Sequence, residues 1–197
     1  PGADWRHPEG PGSSIKGRDR HPVVHVSHGD AEAYARWLGK TLPSEVEWER
    51  AARGGLEGLE FAWGVELHPA GRMLANIWQG DFPNHNSRLD GWERTSPVGS
   101  FPANPYGLFD VIGNVWEWTD DWYQPHGVTV AGSPPSCEAS IDPTSQHGTI
   151  PRKVVKGGSF LCAPGYCRRY RPAARMAQGI DTSTCHLGFR CIVRHPP

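Results

Sequence analysis

Two cysteines near the C-terminal end of the chain are the residues best suited to chemistry. Cys162 and Cys167 lie five positions apart within VVKGGSFLCAPGYCRRYRPAAR, residues 154–175. A Gly-Gly-Ser sequence ending at Ser159 precedes them, and a run rich in arginine and tyrosine follows them. Because thiols, permissive backbone and positive charge are concentrated here, we expect any catalytic site at this stretch.

The spacing of the pair leaves three interpretations open. Pro164 and Gly165 can turn the chain back, which suits a structural disulfide or a redox-active one. The third interpretation is a two-thiolate metal site. Zinc would take four ligands, whereas Cu(I) is soft, favours thiolate and tolerates a low coordination number.

The neighbours of the pair are equally ambiguous. Arg168, Arg169 and Arg171 add positive charge that favours thiolate, or they form a solvated or carboxylate-paired face. Tyr166, between the cysteines, either lines a pocket or packs against its surroundings.

The composition limits the classes of protein to consider. The length of 197 residues fits one domain. The net charge of −1 argues against a nucleic-acid partner held by electrostatic attraction. No apolar run approaches the length of a membrane span, and no signal peptide is visible. The 24 Gly and 19 Pro alternate with apolar residues, including nine Trp. We therefore expect a single loop-rich domain over residues 1–197, without internal repeats.

The first half of the chain contains the clearest periodicity. A helix is predicted over residues 31–38, capped by Ser27 and Asp30. Residues at helical spacing form its expected core-facing stripe: Ala31, Tyr34, Ala35 and Leu38.

A second helix begins at the capping box of Ser44 and Glu47 and ends at Gly54-Gly55. The run at residues 23–26 predicts a strand or an extended entry into the first helix. Beyond residue 56 the pattern indicates short strands and ordered loops, and residues 124–152 indicate an exposed, mobile loop.

Further motifs make the chain resemble the formylglycine-generating enzyme family. The resemblance rests on WRHPEGP, HPVVHVS, LPSEVEWERAARGG, ANIWQG, PYGLFDVIGNVWEWTDDW, GGSF with the two cysteines, and LGFRC, in this order along the chain. It implies an α+β fold with little regular secondary structure, related to C-type lectins. It also implies an aerobic, copper-dependent oxidase that converts a cysteine in a C-x-P-x-R motif of a sulfatase polypeptide to Cα-formylglycine with O2.

By this resemblance, Cys162 and Cys167 are the copper ligands and Ser159 lies beside the copper site. Oxidation at Cβ of the substrate cysteine would give a thioaldehyde, which water hydrolyses to the aldehyde. The resemblance also implies an N-terminal portion ahead of WRHPEGP, carrying part of the substrate groove, which this chain would lack.

The same resemblance implies two structural calcium sites. The first uses side-chain oxygens of Asn76 and Asp90 with the carbonyl groups of Ile77 and Trp92. The second site consists of Ile112, Gly113, Asn114, Val115 and Glu117. Without the resemblance, these Asn and Asp-Gly sequences would indicate only turns.

Departures from the family pattern point to where the protein works. In animal members of the family, cysteines that form structural disulfides stand at three positions. This chain has Ala35, Ala52 and Pro172 at those positions, so Cys191 lacks its usual disulfide partner. This favours a bacterial, cytoplasmic form that needs no secretory oxidation. We also expect the protein to be a monomer. Ala163 and His186 also stand where animal members often differ, and Cys137 and Cys185 are expected to be free thiols.

The remaining histidine and tryptophan residues are assigned to structure. His25 and His28 do not form a zinc-type cluster, while Trp78, Trp92, Trp116 and Trp118 either pack in the core or line a peptide cleft. The alternative function is a non-catalytic paralogue that binds or regulates. A sulfoxide-synthase domain is a third alternative, but it would need a helical, His-rich iron-binding partner domain.

Overall fold

Helices occupy the N-terminal part of the chain and strands the C-terminal part, with long loops between them. The computed structural model describes residues 2–125, 136–142, 144 and 149–194. Its elements are α1 (His28–Trp37), α2 (Glu45–Arg53), β1 (Trp116–Trp122), β2 (Arg152–Lys156), β3 (Arg175–Gly179) and β4 (Leu187–Gly188). Short 3₁₀ helices lie at Pro69–Gly71 and Glu138–Ser140. The predicted loop-rich α+β architecture is confirmed.

Both helices begin at the capping residues that the sequence indicates. The Ser44 hydroxyl accepts the Glu47 N–H at 3.2 Å, and the Glu47 carboxylate accepts the Ser44 N–H at 2.7 Å. Gly54 ends α2 in a left-handed conformation with φ of 59°. Ser27 and Asp30 form the same reciprocal box at the start of α1. Because Asp30 is the third helical residue of that box, α1 begins at His28, three residues earlier than predicted.

The predicted core-facing stripe of α1 is only half correct. Ala31 and Ala35 are buried, but Tyr34 and Leu38 are 48% and 40% exposed. The buried face instead consists of His28, Ala31 and Ala35, whose small alanines allow the helix to approach the core closely. Tyr34 packs at the surface against Phe189, with ring centroids 5.5 Å apart.

The strands form one four-stranded sheet in the order β3-β2-β1-β4. The β1–β2 and β2–β3 pairs are antiparallel, whereas β4 runs parallel to β1. The register of β1 shifts between Trp118 and Trp122, so β1 bulges against β2. Residues 23–26 form no strand, although Val24 and Val26 are buried. His25 has a left-handed φ of 57° and the chain bends there, so the expected extended entry into α1 is interrupted.

The core lies between the sheet, α2 and the ordered loops. Trp116 and Trp118 are 2% and 0% exposed, so they belong to this core and line no cleft. Tyr170 is also fully buried, stacked on Phe61 with ring centroids 6.2 Å apart. Within residues 2–125, 136–142, 144 and 149–194, no helix has the length and apolar character required to cross a membrane.

Two predictions about the strands need comment. The β3 strand was not predicted, because RMAQG carries no alternation of apolar and polar residues. About half of the predicted mobile loop over 124–152 falls on residues 126–135, 143 and 145–148, which lie outside the described residues. Its described part is not a uniformly exposed loop, because Glu138–Ser140 form a 3₁₀ helix, Ser140 is buried and β2 begins at Arg152.

A buried ion network joins α2 to the sheet. Lys156, the last residue of β2, is fully buried, and its Nζ lies 3.0 Å from Glu49 and 3.5 Å from Glu45. The same two carboxylates also form ion pairs with arginines: Arg53 lies 2.6 Å from Glu49, and Arg175 lies 2.7 Å from Glu45. The alternating charges satisfy the lysine ammonium group away from water and fix the end of β2 against α2.

We expect Lys156→Met to lower the free energy of unfolding by about 3 kcal/mol, because it leaves two partly buried carboxylates without their shared cation. The measurement is urea denaturation followed by tryptophan fluorescence.

Lys153→Met is the matched control from the same strand. Lys153 is also buried, but its carboxylate partner Asp120 is 53% exposed and can be solvated when the lysine is removed. We expect a loss of about 1 kcal/mol, from the hydrogen bonds to the carbonyl and the carboxylate of Asp120 and from a cation–π contact with Trp122. An equal loss in the free energy of unfolding for the two variants would contradict a special stabilising role of the ion network.

Candidate active site

The chain reaches the cysteine pair through two glycines that follow β2. Gly157 and Gly158 have φ angles of 93° and 75°, which favour glycine. A Cβ at Gly158 would lie 3.0 Å from the backbone of Tyr170, and one at Gly157 would lie 3.1 Å from the ring of Trp48. The Gly-Gly sequence therefore allows a sharp, closely packed turn that carries Ser159 and Cys162 into the core.

Cys162 and Cys167 face each other across a tight turn. The Cys167 N–H donates to the Ala163 carbonyl at 3.0 Å, which folds the intervening residues back. The two sulfur atoms lie 2.9 Å apart, and both residues are free thiols in the structure. Cys162 is only 2% exposed, whereas Cys167 is half-buried. The pair therefore has a buried member and a more accessible one.

This difference in burial polarises the pair. The hydrogen bond to Cys167, and then burial, raise the pKa of Cys162. The hydrogen bond from Cys162 lowers the pKa of Cys167 to about 6, with further help from the backbone N–H and the charge of Arg169. At neutral pH, Cys162 therefore keeps its proton and donates it to a Cys167 thiolate.

The three arginines have different roles: one favours the thiolate by its charge, and two pair with a carboxylate. Arg169 is the member whose charge favours the Cys167 thiolate. Arg168 and Arg171 instead lie 2.9 and 3.9 Å from Glu60, in partly exposed ion pairs. Carboxylate pairing thus describes these two arginines.

Ser159 lies beside Cys162, as the family resemblance implied. Its side chain is fully buried, its carbonyl accepts the Cys162 N–H at 2.9 Å, and its hydroxyl lowers the pKa of Cys162. The hydroxyl oxygen also lies 2.9 Å from Nδ1 of His186 and 3.2 Å from the Leu161 N–H. Sequence reasoning noted His186 only as a departure from the family pattern. Its contact with Ser159 joins residues 27 apart and leaves no periodic signal in the sequence.

A groove of about 740 Å³ reaches Phe160 and Leu161, the two residues that precede Cys162, but neither cysteine of the pair lines it. One wall comes from residues 78–94, and Phe160, Leu161 and Cys185 complete the lining. The groove is tied to the pair by the Trp78 N–H, which donates to the Cys162 carbonyl at 3.1 Å. Cys185 is a free thiol, as expected, and it lines this groove.

Three aromatic rings connect the groove with the loop between the cysteines. Trp78 meets Phe82 edge to face at a centroid distance of 5.1 Å, and Phe82 stacks on Tyr166 at 4.6 Å. Tyr166 is 70% exposed. It therefore presents an aromatic surface to solvent as well as packing against Phe82. Trp92 lies elsewhere, edge to face with His21.

The residues of the first predicted calcium site converge. The Asp90 carboxylate accepts the N–H groups of Ile77 and Trp92 at 3.1 and 2.9 Å. The side-chain amide of Gln79 donates to Asp90 at 2.7 Å and also contacts the Ile77 carbonyl. Oδ1 of Asn76 is buried and has no hydrogen-bond partner within the described residues. A buried oxygen without a partner suits a hard cation, whereas the Asp90 and Ile77 oxygens already accept N–H groups. Gln79 was missed by sequence reasoning.

The residues of the second predicted calcium site fit an ion poorly. Both carboxylate oxygens of Glu117 contact Arg190, at 2.5 and 2.6 Å, and one also accepts the Trp48 indole N–H at 2.6 Å. The Asn114 side chain is bound on both sides by the backbone of Ser96. These contacts leave the side-chain oxygens of the set already occupied by protein donors; its other members are Ile112, Gly113 and Val115.

No larger cluster of metal-binding side chains occurs in the part of the chain that the structure describes. Groups of three or more His, Cys, Asp or Glu residues arranged for a metal are absent there. His28 is buried against Trp118, and Nε2 of His25 contacts the carbonyl of Pro8 at 2.9 Å. The expectation of a structural role for these two histidines agrees with their contacts.

Comparison with known proteins gives consistent matches along the whole chain. A family model described as a sulfatase-modifying factor enzyme 1-like domain matches residues 1–195. The formylglycine-generating enzyme of Mycobacterium tuberculosis is 54% identical over 192 residues, covering 98% of this chain and 64% of the relative. The inactive C-alpha-formylglycine-generating enzyme 2 of Mus musculus is 42% identical over 194 residues, covering 97% and 55%.

A solved structure supports the same assignment. PvdO from Pseudomonas aeruginosa matches with a TM-score of 0.64 and 29% identity, over 86% of this chain and 60% of that one. The chain thus spans between about half and two thirds of the length of the proteins it resembles.

The polarised pair predicts the reactivity of Cys167 in the metal-free, reduced protein. We expect Cys167 to be alkylated by iodoacetamide with a pH midpoint near 6. In Cys162→Ala the midpoint should rise toward the ordinary thiol value of about 8.5, because the thiolate loses its main hydrogen-bond donor. Peptide mass spectrometry at each pH reports the labelling of this residue alone.

Cys137→Ala is the control, since it removes a thiol that does not belong to the pair. It should leave the midpoint of Cys167 unchanged. An unchanged midpoint in Cys162→Ala would instead show that Cys162 does not stabilise the Cys167 thiolate.

Proposed function

This chain belongs to the family of sulfatase-modifying factor enzyme 1-like domains, and from that premise we propose that it oxidises a cysteine of a sulfatase polypeptide to Cα-formylglycine, using O2. The observation that carries the proposal is the facing pair of Cys162, which is buried, and Cys167, which is half-buried. The residues that precede Cys162 line a groove. The formylglycine-generating enzyme of M. tuberculosis supports it through 54% identity. We take the substrate segment to be C-x-P-x-R.

Copper is the cofactor that this donor set suits. Two thiols meet without a third His, Cys, Asp or Glu side chain in the described part of the chain, which fits a soft ion of low coordination number. Cu(I) bound by Cys162 and Cys167 would supply the reaction with O2 that ordinary side chains cannot perform.

The residues of the chain itself prepare this site. Cys167 is already ionised at neutral pH, so it needs to lose no proton to act as a ligand. Ser159 holds the buried Cys162 through its backbone carbonyl and lies beside the sulfur. The groove has a volume in the usual range for ligand pockets and would hold an extended segment whose cysteine reaches the pair.

The electron balance of the reaction determines what an assay must contain. Converting the substrate thiol to a thioaldehyde removes two electrons and two protons, and hydrolysis then gives the aldehyde and hydrogen sulfide. Reduction of O2 to two water molecules takes four electrons, so the remaining two come from an external thiol. A reducing compartment provides such thiols and keeps the five cysteines free, which favours the bacterial cytoplasm.

The turnover experiment uses the 197-residue chain, Cu(I), O2, a thiol reductant and a peptide containing C-x-P-x-R. Mass spectrometry should detect conversion of the peptide cysteine to an aldehyde. We expect Cys162→Ser and Cys167→Ser each to lower the rate by more than the roughly 10–100-fold that loss of a group behind a metal ligand costs. Cys137→Ser should retain the rate of the parent.

Two outcomes would contradict the proposal. If both serine variants turn over as fast as the parent, the pair is not the catalytic centre. If the parent binds the peptide but never converts it, a binding module becomes the better description, as for a relative of the inactive mouse type.

We further propose a structural calcium ion at Asn76, Ile77, Asp90 and Trp92. The unpaired Oδ1 of Asn76 and the nearby Asp90 carboxylate support it. A bound ion would connect the segment at residues 76–79 with residues 90–92 and thereby stabilise one wall of the groove.

Calcium should raise the melting temperature relative to a chelator. A concentration a hundredfold above the dissociation constant contributes about 2.7 kcal/mol, which is roughly 5–10 °C for a domain of this size. Asp90→Asn should abolish most of the shift, while Asp81→Asn, which changes an exposed carboxylate on the same loop, should preserve it. Loss of the shift in both variants, or in neither, would contradict this site.

A further inference from the structure

His186 connects the edge of the sheet with the cysteine site. It immediately precedes β4, and its carbonyl accepts the Trp116 N–H at 2.8 Å, which fixes its backbone to β1. Its side chain reaches across to Ser159, with Nδ1 2.9 Å from the hydroxyl oxygen. The ring also packs edge to face with Phe160 at a centroid distance of 6.3 Å. Both ends of the residue are therefore held in place.

The Ser159 hydroxyl has three polar neighbours but only one proton to donate. It accepts the Leu161 N–H, it meets Nδ1 of His186, and it lies beside the Cys162 sulfur. A hydroxyl has one proton and two lone pairs, so its partners decide which way that proton points. The direction is fixed by whether Nδ1 of His186 donates or accepts.

We propose that His186 is a positioning residue that sets the direction of the Ser159 hydroxyl and so determines whether this group offers a proton or a lone pair to Cys162. When Nδ1 carries its proton, it donates to the serine oxygen, and the Ser159 proton turns toward the sulfur. When Nδ1 is bare, it accepts the serine proton, and a lone pair faces the thiol instead. This role rests on the proposed function, which makes Cys162 a ligand.

A neutral imidazole is suited to this role because it can adopt either arrangement without moving. Burial, and then the proximity of His25, lower the pKa of His186, so the ring is neutral at physiological pH. One ring nitrogen then donates and the other accepts. Within the described residues Nε2 of His186 has no hydrogen-bond partner, so no protein group locks the ring in one tautomer.

A second histidine in the protein provides a matched control. Nδ1 of His21 lies 2.9 Å from the Thr95 hydroxyl, at the same spacing as in the His186–Ser159 pair. Burial lowers its pKa as well. His21 lines a different cavity, with Trp5 and Ile15, and it contacts neither cysteine. His21→Phe therefore removes an equivalent bond without touching the site.

The first test is ¹⁵N NMR of the histidine side chains in the metal-free chain and after addition of Cu(I). In the metal-free chain Cys162 donates its proton to Cys167, so the Cys162 sulfur can accept the Ser159 proton. We therefore expect Nδ1 of His186 to carry a proton both without and with Cu(I), and Ser159→Ala should shift its resonance. His21 should not respond to this change. A bare Nδ1 in either state, or a His186 resonance that ignores Ser159→Ala, would overturn the proposal, whether or not the chain turns over.

The second test is a double-mutant cycle on turnover with His186→Phe and Ser159→Ala. Because His186 acts through Ser159, each single variant should lower kcat by about 10–100-fold with little change in KM, and the double variant should be no worse than Ser159→Ala. His186→Asn, which can also donate or accept, should restore part of the rate, and His21→Phe should leave the rate unchanged.

The outcomes separate this inference from the proposed function. Additive losses in the cycle, or a higher KM with unchanged kcat, would overturn the positioning role of His186. An inactive parent would count against the proposed function alone, because the NMR measurement would still decide how His186 and Ser159 are paired. If His186→Phe does not fold, the tautomer of His186 in the parent, measured with and without Cu(I), remains decisive.

Discussion

The arrangement of the site depends on one buried charge. Lys156 ends β2 and is fully enclosed, and its ammonium group is satisfied only where Glu45 and Glu49 of α2 meet it. This requirement fixes the end of β2 against the helix to within the length of a hydrogen bond. Gly157 and Gly158 then turn the chain beneath Tyr170, so everything from Ser159 onward is positioned from that anchor.

The hydrogen bond between the two thiols, together with their difference in burial, explains why two chemically identical cysteines have different pKa values. Cys162 lies in the core and Cys167 at its edge, so ionisation of the outer thiol costs less and the inner thiol keeps its proton. The same principle explains Glu117, whose charge is tolerated in the core because Arg190 and Trp48 surround it.

Local rules predicted the local features well. The Ser44–Glu47 capping box and the Gly54 terminus needed only neighbouring residues, and both are confirmed. The stripe on α1 was half wrong, because the face that α1 buries depends on what packs against it rather than on helical spacing. The site showed the same limit: the cysteine pair was evident from sequence, whereas His186 and Gln79 act through contacts that only the folded chain creates. The cleft-lining alternative for Trp116 failed for this reason too.

The two kinds of contact at the site also differ in when they can form. The cysteines are five residues apart, so a short segment can bring them together even before the chain has folded. The His186–Ser159 contact instead requires β4 to pair in parallel with β1, which closes a loop of about seventy residues. The cysteine pair can thus form early in the nascent chain, while the contact between His186 and Ser159 forms only after β4 has paired with β1.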